Sequence, residues 1–233
     1  MASKWGLQIA DWGFRITFLS LIVVLLIPGL AVPAGGAETE AQGRPILAIF
    51  PFVVEKAEDP ARGAVCPVCK GVRRSSEVSS GVRHVQTLML YAKVEALGTF
   101  DIFPLEKVEE ALSKKGGGQP DIPSWVELGR ELNANYVMVG VLFRFEERVG
   151  SSLGVEKPAS VAFDLHLYRL RDGKRVWDGD FDETQKPLFD DLLKTGSFLR
   201  RKAKWLTAAD LAEVGMEETL RKLPSVKELE EKR

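Results

Sequence analysis

The stretch Ser160–Phe181 reads SVAFDLHLYRLRDGKRVWDGDF, and it decides the fold class. Two alternating runs flank Asp172-Gly173, a dipeptide that supplies the positive φ angles of a tight hairpin turn. On the first run Val161, Phe163, Leu165 and Leu167 share one face, while Asp164, His166 and Tyr168 share the other. A hairpin of this kind needs more sheet beside it. The neighbour is ANYVMVGVLFRFEERV (Ala134–Val149), apolar throughout its first half, as in a strand buried on both faces. Its second half alternates, with Arg144 between Phe143 and Phe145, as expected where one face reaches water.

Working back from this meander, RPILAIFPFVV (Arg44–Val54) is predicted to be a central strand, with Pro51 tolerated near its end. A helix capped by Ser79 or Ser80 carries Val82, Val85, Met89, Ala92 and Ala96 at spacings of three and four, and Gly98 ends it. FDIFPLE (Phe100–Glu106) reads as a second strand running into a helix with Leu105, Val108 and Leu112, which Gly116–Gly118 stop. Another helix starts at Pro123-Ser124 and carries Trp125, Leu128 and Leu132. Strand, helix, strand, two helices and a meander make an α/β domain over 45–185, with a mixed sheet of about five strands and helices on its faces. Residues 186–224 read as a C-terminal helical extension. Thr207 caps its second helix, with Asp210 completing a short-chain capping box. Residues 225–233 form a charged tail, expected to fray.

The amino terminus sets the compartment. Lys4 and Arg15 precede an unbroken apolar run, ITFLSLIVVLLI (Ile16–Ile27). Pro28-Gly29 and small residues then permit cleavage after Ala34 or Ala37. The run is shorter than the roughly 20 residues of a comfortable transmembrane helix. Residues 1–37 are therefore expected to be a cleaved signal peptide, with an uncleaved anchor as the alternative and the sole membrane contact. Residues 38–44 form a linker. No cysteine follows the run closely, so the expectation is a periplasmic protein that is not a lipoprotein. Lys and Arg number 32 against 33 Asp and Glu, a formal net charge of −1 at pH 7. That balance gives no electrostatic reason to bind nucleic acid, and Arg73-Arg74 and Arg200–Lys202 are too short to change this.

The two cysteines, Cys66 and Cys69, lie in AVCPVCKG (Ala64–Gly71), inside a polar loop over 55–80 that is long for a compact domain. Lys70 stands where covalent haem attachment needs histidine, which excludes that use. CPVCKG is similar to one knuckle of a rubredoxin-like or zinc-ribbon pair, but the second knuckle is missing. Four ligands would need the histidines, His84 and His166, or a CxxC from each chain of a homo-oligomer. A thioredoxin-type role wants the pair at a helix start. KGVRRSSE is not one, although Lys70, Arg73 and Arg74 favour a thiolate. The expected state is a local disulfide pinning the loop, as an oxidising space allows, with redox use as its alternative. No metal or other cofactor is expected, zinc at Cys66 and Cys69 being the one left open.

The remaining candidates have plain readings. Asp164, His166 and Tyr168 lack a nucleophile and are expected on a partly exposed strand face. Glu146, Glu147, Asp178, Asp180, Asp182 and Glu183 lack the spacing of a calcium loop and are expected at solvated edges. Gly116–Gly118 has no Lys-Ser/Thr partner for phosphate. Trp125, Trp177 and Trp205 sit on periodic apolar faces of a core.

Several of these segments together carry a family resemblance. Ile49-Phe50-Pro51-Phe52, Gly98–Phe103 with Val108 and Leu112, Leu128–Val141, and Asp172–Trp177 are similar to motifs of a periplasmic α/β family. It includes the TolB amino-terminal domain and the curli-assembly lipoprotein CsgG. The resemblance spans Pro45–Asp180 and implies a fold used in envelope assembly and protein–protein binding, with no enzymatic site to carry over. The CxxC loop is not part of that pattern. The membrane-inserting hairpins of the curli protein are also absent, so a secretion channel is not expected. The functional expectation is a non-enzymatic periplasmic protein binding other envelope proteins. A thiol-redox or metal-binding protein using Cys66 and Cys69 is the alternative, and a hydrolase a weaker one.

Overall fold

The computed structural model describes residues 43–59, 61–116, 122–151, 154–185 and 205–232. The signal and most of the linker, Gly117, Gly118 and the first expected C-terminal helix lie outside them. In chain order the strands are β1 (Ile46–Ile49), β2 (Val53–Val54), β3 (Ala64–Val65), β4 (Val72–Arg73), β5 (Asp101–Ile102), β6 (Tyr136–Glu146), β7 (Val149–Gly150), β8 (Val155–Lys157), β9 (Ser160–Arg169) and β10 (Lys174–Thr184). The helices are α1 (Ser80–Leu97), α2 (Leu105–Lys114), α3 (Ile122–Glu131), α4 (Ala208–Leu220) and α5 (Val226–Glu231).

Six strands form one mixed sheet in the order β10-β9-β6-β1-β5, with β2 pairing farther along β6. β1 runs parallel to β5 and β6, whereas β6, β9 and β10 form the antiparallel meander. The pairs β3–β4 and β7–β8 are separate two-stranded ribbons. The first of these gives regular structure to the middle of the expected loop 55–80. β5 is only two residues long, because α2 already begins at Leu105.

The alternation on β9 fixes both faces of the sheet. Phe163, Leu165 and Leu167 pack with Leu47, Ile49 and Met138 against Leu90 and Val94 of α1 and Leu211 and Met216 of α4. Ala162 and Tyr168 belong to the opposite layer, with Val137, Val139, Trp125 of α3 and Val108 of α2. That second layer also contains Ala64, Cys66 and Val68. The loop thus covers the part of the sheet that α2 and α3 leave open.

Four local expectations are corrected. On α1, capped by Ser79, Val82 and Met89 of the expected stripe pack against the core, but Val85, Ala92 and Ala96 are exposed and the buried residues are Gln86, Thr87, Leu90 and Val94. The helix turns this way because Thr87 Oγ1 accepts the Phe52 N–H at 3.0 Å, a donor next to Pro51 that needs a partner. Asp172-Gly173 does not make a two-residue turn. Only Gly173 has positive φ (68°), Lys174 pairs with Arg169, and Asp172 accepts from Arg169 Nη2 at 2.6 Å. Arg144 does not reach water: it is 2% exposed, bonded to Ser160 Oγ, the Arg74 carbonyl and Asp182. Residues 74–76 cover it, with Ser76 N–H donating to the Phe143 carbonyl at 2.9 Å.

The charged tail is also ordered. Ser225 and Glu228 form a capping box that starts α5, and Leu229 is buried. Arg169 Nη1 donates to the carbonyls of Leu229 (2.7 Å) and Glu230 (2.9 Å), and Nη2 to that of Lys232 (2.9 Å). Those are the carbonyls that a helix end leaves unpaired. The Thr207–Asp210 capping box of α4 is formed as expected. Trp125 and Trp177 are buried and Trp205 is half-buried. Among the described residues no helix is long and apolar enough to cross a membrane.

Candidate metal centre

The site begins with the turn between β3 and β4. Pro67 fixes one φ, Cys66 N–H donates to the Gly71 carbonyl at 2.8 Å, and Lys70 N–H donates to the Cys66 carbonyl at 3.1 Å. The closure holds Lys70 at φ 65°, a left-handed conformation costing a non-glycine residue about 1 kcal/mol. Lys70 Nζ donates to the Pro67 carbonyl at 2.8 Å. The backbone N–H groups of Val68 and Cys69 point at Cys66 Sγ, and Gly71 N–H donates to Cys69 Sγ at 3.4 Å. Backbone donors aimed at sulfur favour the thiolate, the form that ligates metals.

The ribbon lies against β9 and β10. Arg175 Nη1 donates to the Val68 carbonyl at 2.8 Å, which seats the turn over the polar face of β9. There Cys66 Sγ lies 3.3 Å from His166 Nε2, and Cys69 Sγ lies 3.4 Å from Asp164 Oδ2. The four ligand atoms all lie within 4.8 Å of one another. A tetrahedral zinc with arms of about 2.0–2.3 Å has ligand–ligand edges of about 3.3–3.8 Å; the 3.3 and 3.4 Å separations match such edges, and the remaining pairs need to close by at most about 1 Å.

The surroundings select the ligating forms. His166 Nδ1 lies 2.6 Å from Asp178 Oδ1, its direct neighbour across the β9–β10 pairing. A carboxylate there accepts a hydrogen bond from Nδ1–H and leaves the Nε2 lone pair facing the sulfurs, the usual support of a metal-bound histidine. Burial lowers the pKa of His166 below the ordinary imidazole value, outweighing the opposite pull of Asp178, so the ring is neutral at neutral pH. Arg73 donates to Asp164 Oδ1 through Nε (3.2 Å) and Nη2 (3.1 Å) and also pairs with Asp180. Two thiolates, one carboxylate and a divalent cation sum to one negative charge, which Arg73 balances.

Both cysteines are free thiols in this structure. Burial pushes the Cys66 thiol up to about 12. At pH 8 a metal-free chain then holds Cys66 almost wholly as the thiol, whereas Cys69 is half-buried and lies at the rim. Iodoacetamide at pH 8 is therefore expected to label Cys69 of the reduced, metal-free folded protein and to spare Cys66 until the chain is denatured. Equal labelling of both in the folded state, read by peptide mass spectrometry, would contradict this picture of the turn.

The sequence singled out Cys66 and Cys69 and named His84 and His166 as the histidines that could complete a set of four; the structure brings His166 to the cysteines and adds Asp164. Their spacing of two along β9 puts them on one face, and both are 1% exposed rather than partly exposed. His84 lies away from the cluster on the exposed side of α1, 4.0 Å from Glu109. Tyr168 shares the sheet face with the cluster but is not one of its four donors. The acidic residues expected at solvated edges lie there, Glu147, Asp178, Asp180 and Asp182 being exposed, and several also reach inward to a partner. Asp178 holds His166, Asp180 pairs with Arg73, Asp182 with Arg144, and Glu147 accepts the Ala208 N–H at the start of α4.

No protein-family profile matches the sequence, and neither does any curated protein. Similar solved structures include the LpoB C-terminal domain from Salmonella enterica, at 12% identity and a TM-score of 0.39, covering 63% of this chain and 87% of that one. The PelC dodecamer from Paraburkholderia phytofirmans shows 13% identity and a TM-score of 0.44, covering 78% and 89%. Lipoprotein GNA1162 from Neisseria meningitidis shows 14% identity and a TM-score of 0.41, covering 68% and 99%. Likeness at this level assigns neither a family nor an activity.

Proposed function

We propose that the chain is a non-catalytic envelope domain that binds other envelope proteins and whose loop 55–80 is fixed to the sheet by one zinc ion held by Cys66, Cys69, Asp164 and His166. The observation that carries the metal reading is the convergence of four donor atoms, two from the loop and two from β9, within 4.8 Å. Thiolate and imidazole donors suit zinc, while calcium and magnesium want oxygen throughout. Four protein ligands fill a tetrahedron and leave no position for water or substrate, as in structural zinc sites. That closure supports a bracing role over a hydrolytic one. The envelope placement rests on the amino-terminal pattern of residues 1–37, and the binding role on the sequence resemblance.

The test is metal counting on the chain purified under reducing conditions with zinc, followed by cobalt substitution. The expected result is one zinc per chain and a cobalt spectrum with intense tetrahedral d–d bands and a thiolate charge-transfer band. Half a zinc per chain would favour a CxxC shared between two chains. Absence of bound zinc would overturn the reading and leave the local disulfide as the role of Cys66 and Cys69.

A further inference from the structure

We infer that this centre is a redox-released clasp: a disulfide compound reacts first at Cys69, a Cys66–Cys69 disulfide closes, and the metal leaves, loosening the turn that carries both sulfurs from β9 while Arg73 still holds Asp164. The inference rests on the zinc reading and extends it to regulation. The ligand set is divided by origin. Both sulfurs belong to one six-residue turn, and Asp164 and His166 both belong to β9. Joining the two sulfurs therefore removes both loop ligands in one event. The strand keeps one carboxylate and one imidazole, half of a tetrahedral set.

Access to the two sulfurs is unequal. Cys66 is fully buried in the sheet-covering layer, whereas Cys69 is half-buried beside exposed Lys70. An incoming disulfide meets Cys69, and Cys66 is placed to resolve the product from inside. The Cys69 thiolate attacks the disulfide RSSR, forming Cys69–S–SR and releasing RS⁻. The Cys66 thiolate then attacks the Cys69 sulfur and releases the second RS⁻. The protein sulfurs lose two electrons, RSSR gains two, and the divalent cation, having lost both thiolates, leaves as its aquo ion.

The strand side tolerates that departure. Asp164 keeps its two bonds from Arg73, and His166 keeps its bond to Asp178. No buried charge is left unpaired, so the oxidised state escapes the main penalty of breaking a buried ionic site. The loop then retains the Arg175 bond to the Val68 carbonyl and the bond of Ala57 N–H to Ser75 Oγ. Metal-bound and disulfide states are two usable arrangements of the same turn.

The experiment uses the reduced full chain loaded with zinc, its zinc counted first. Oxidised glutathione is added, zinc release is followed with a chromogenic chelator, and the thiol products are followed by mass spectrometry. The expected result is release in step with Cys66–Cys69 disulfide formation, with amide exchange over Ala64–Arg73 rising at least tenfold. Cys66→Ala should accumulate a stable mixed disulfide at Cys69, and Cys69→Ala should react at Cys66 at least tenfold more slowly. Zinc that is present and stays bound under full oxidant overturns the switch alone. Zinc absent at the first count overturns both readings, and equal reaction at the two sulfurs overturns the order of attack.

Discussion

Removing zinc from the loaded, reduced chain with a strong chelator is expected to lower its melting temperature by about 8–16 °C. A ligand held only by the native state, at a free concentration 1,000 times its dissociation constant, adds about 4.1 kcal/mol of stability. For a domain of 150–250 residues each kcal/mol moves the midpoint by about 2–4 °C. The metal reinforces a junction that Arg73 on Asp164, Arg175 on the Val68 carbonyl and Ser76 N–H on the Phe143 carbonyl also make, and it joins residues far apart in sequence. Cys66 and Cys69 lie 100 and 95 residues from their partners His166 and Asp164. The loop they anchor supplies Ala64, Cys66 and Val68 to one layer of the core. The shift should shrink as pH falls, because protons compete for the thiolates, and most strongly at Cys66, whose free thiol is pushed up to about 12. Circular dichroism melts before and after chelation, with metal content measured on the same samples, give the answer. A shift under 3 °C with zinc shown to be gone would mean that the metal does not hold the loop.

Much of the fold was legible because its signals were local. The alternation of β9 assigned both faces correctly: Phe163, Leu165 and Leu167 went to one layer and Tyr168 to the other. Thr207 and Asp210 marked the start of α4 by side chains three residues apart, and they form the box that spacing requires. The misreadings share a cause in distant partners. Val85 looks as fit for burial as Leu90, but the inward turn carries Thr87, whose Oγ1 accepts the Phe52 N–H, and leaves Val85 exposed. Arg144 looks water-facing until residues 74–76 close over it. The tail looks frayed until Arg169, distant in sequence, takes the carbonyls at the end of α5.

The site followed the same division. Cys66 and Cys69 were visible as a knuckle short of two ligands. The missing pair was also in view, as Asp164 and His166 on the non-apolar face of the central hairpin. What hid the connection was assigning that face to solvent. An aspartate and a histidine two apart on a strand fit water or a metal equally well. The deciding fact is the cover, and in this fold the cover is the CxxC loop itself.

Substitution at His166 and at its support should separate ligation from orientation. His166→Ala removes one of four donors and is expected to weaken zinc binding by well over 100-fold, leaving a three-coordinate remnant open to water. Asp178→Asn leaves all four donors in place. It weakens the hold on Nδ1–H and the 3.0 Å pairing with Arg175 Nε, so a 10–100-fold loss is expected, the usual scale for an outer carboxylate. The spectra should differ in kind as well. Cobalt bound to Asp178→Asn keeps a tetrahedral two-thiolate spectrum, because Cys66, Cys69, Asp164 and His166 remain. Cobalt bound to His166→Ala loses the tetrahedral pattern while keeping the thiolate band. Competition titration against a chelator of known affinity measures both constants. If His166→Ala bound zinc as tightly as the parent, the histidine would not be a ligand, and the 3.3 Å approach of Nε2 to Cys66 Sγ would be a buried hydrogen bond within a disulfide-type clasp. If Asp178→Asn were as damaging as His166→Ala, the carboxylate would be needed to hold the strands together and not merely to orient the ring. The expected order, with parent tightest, Asp178→Asn next and His166→Ala weakest, follows from the register that sets Asp178 directly across from His166 and points Nε2 at the turn carrying both sulfurs.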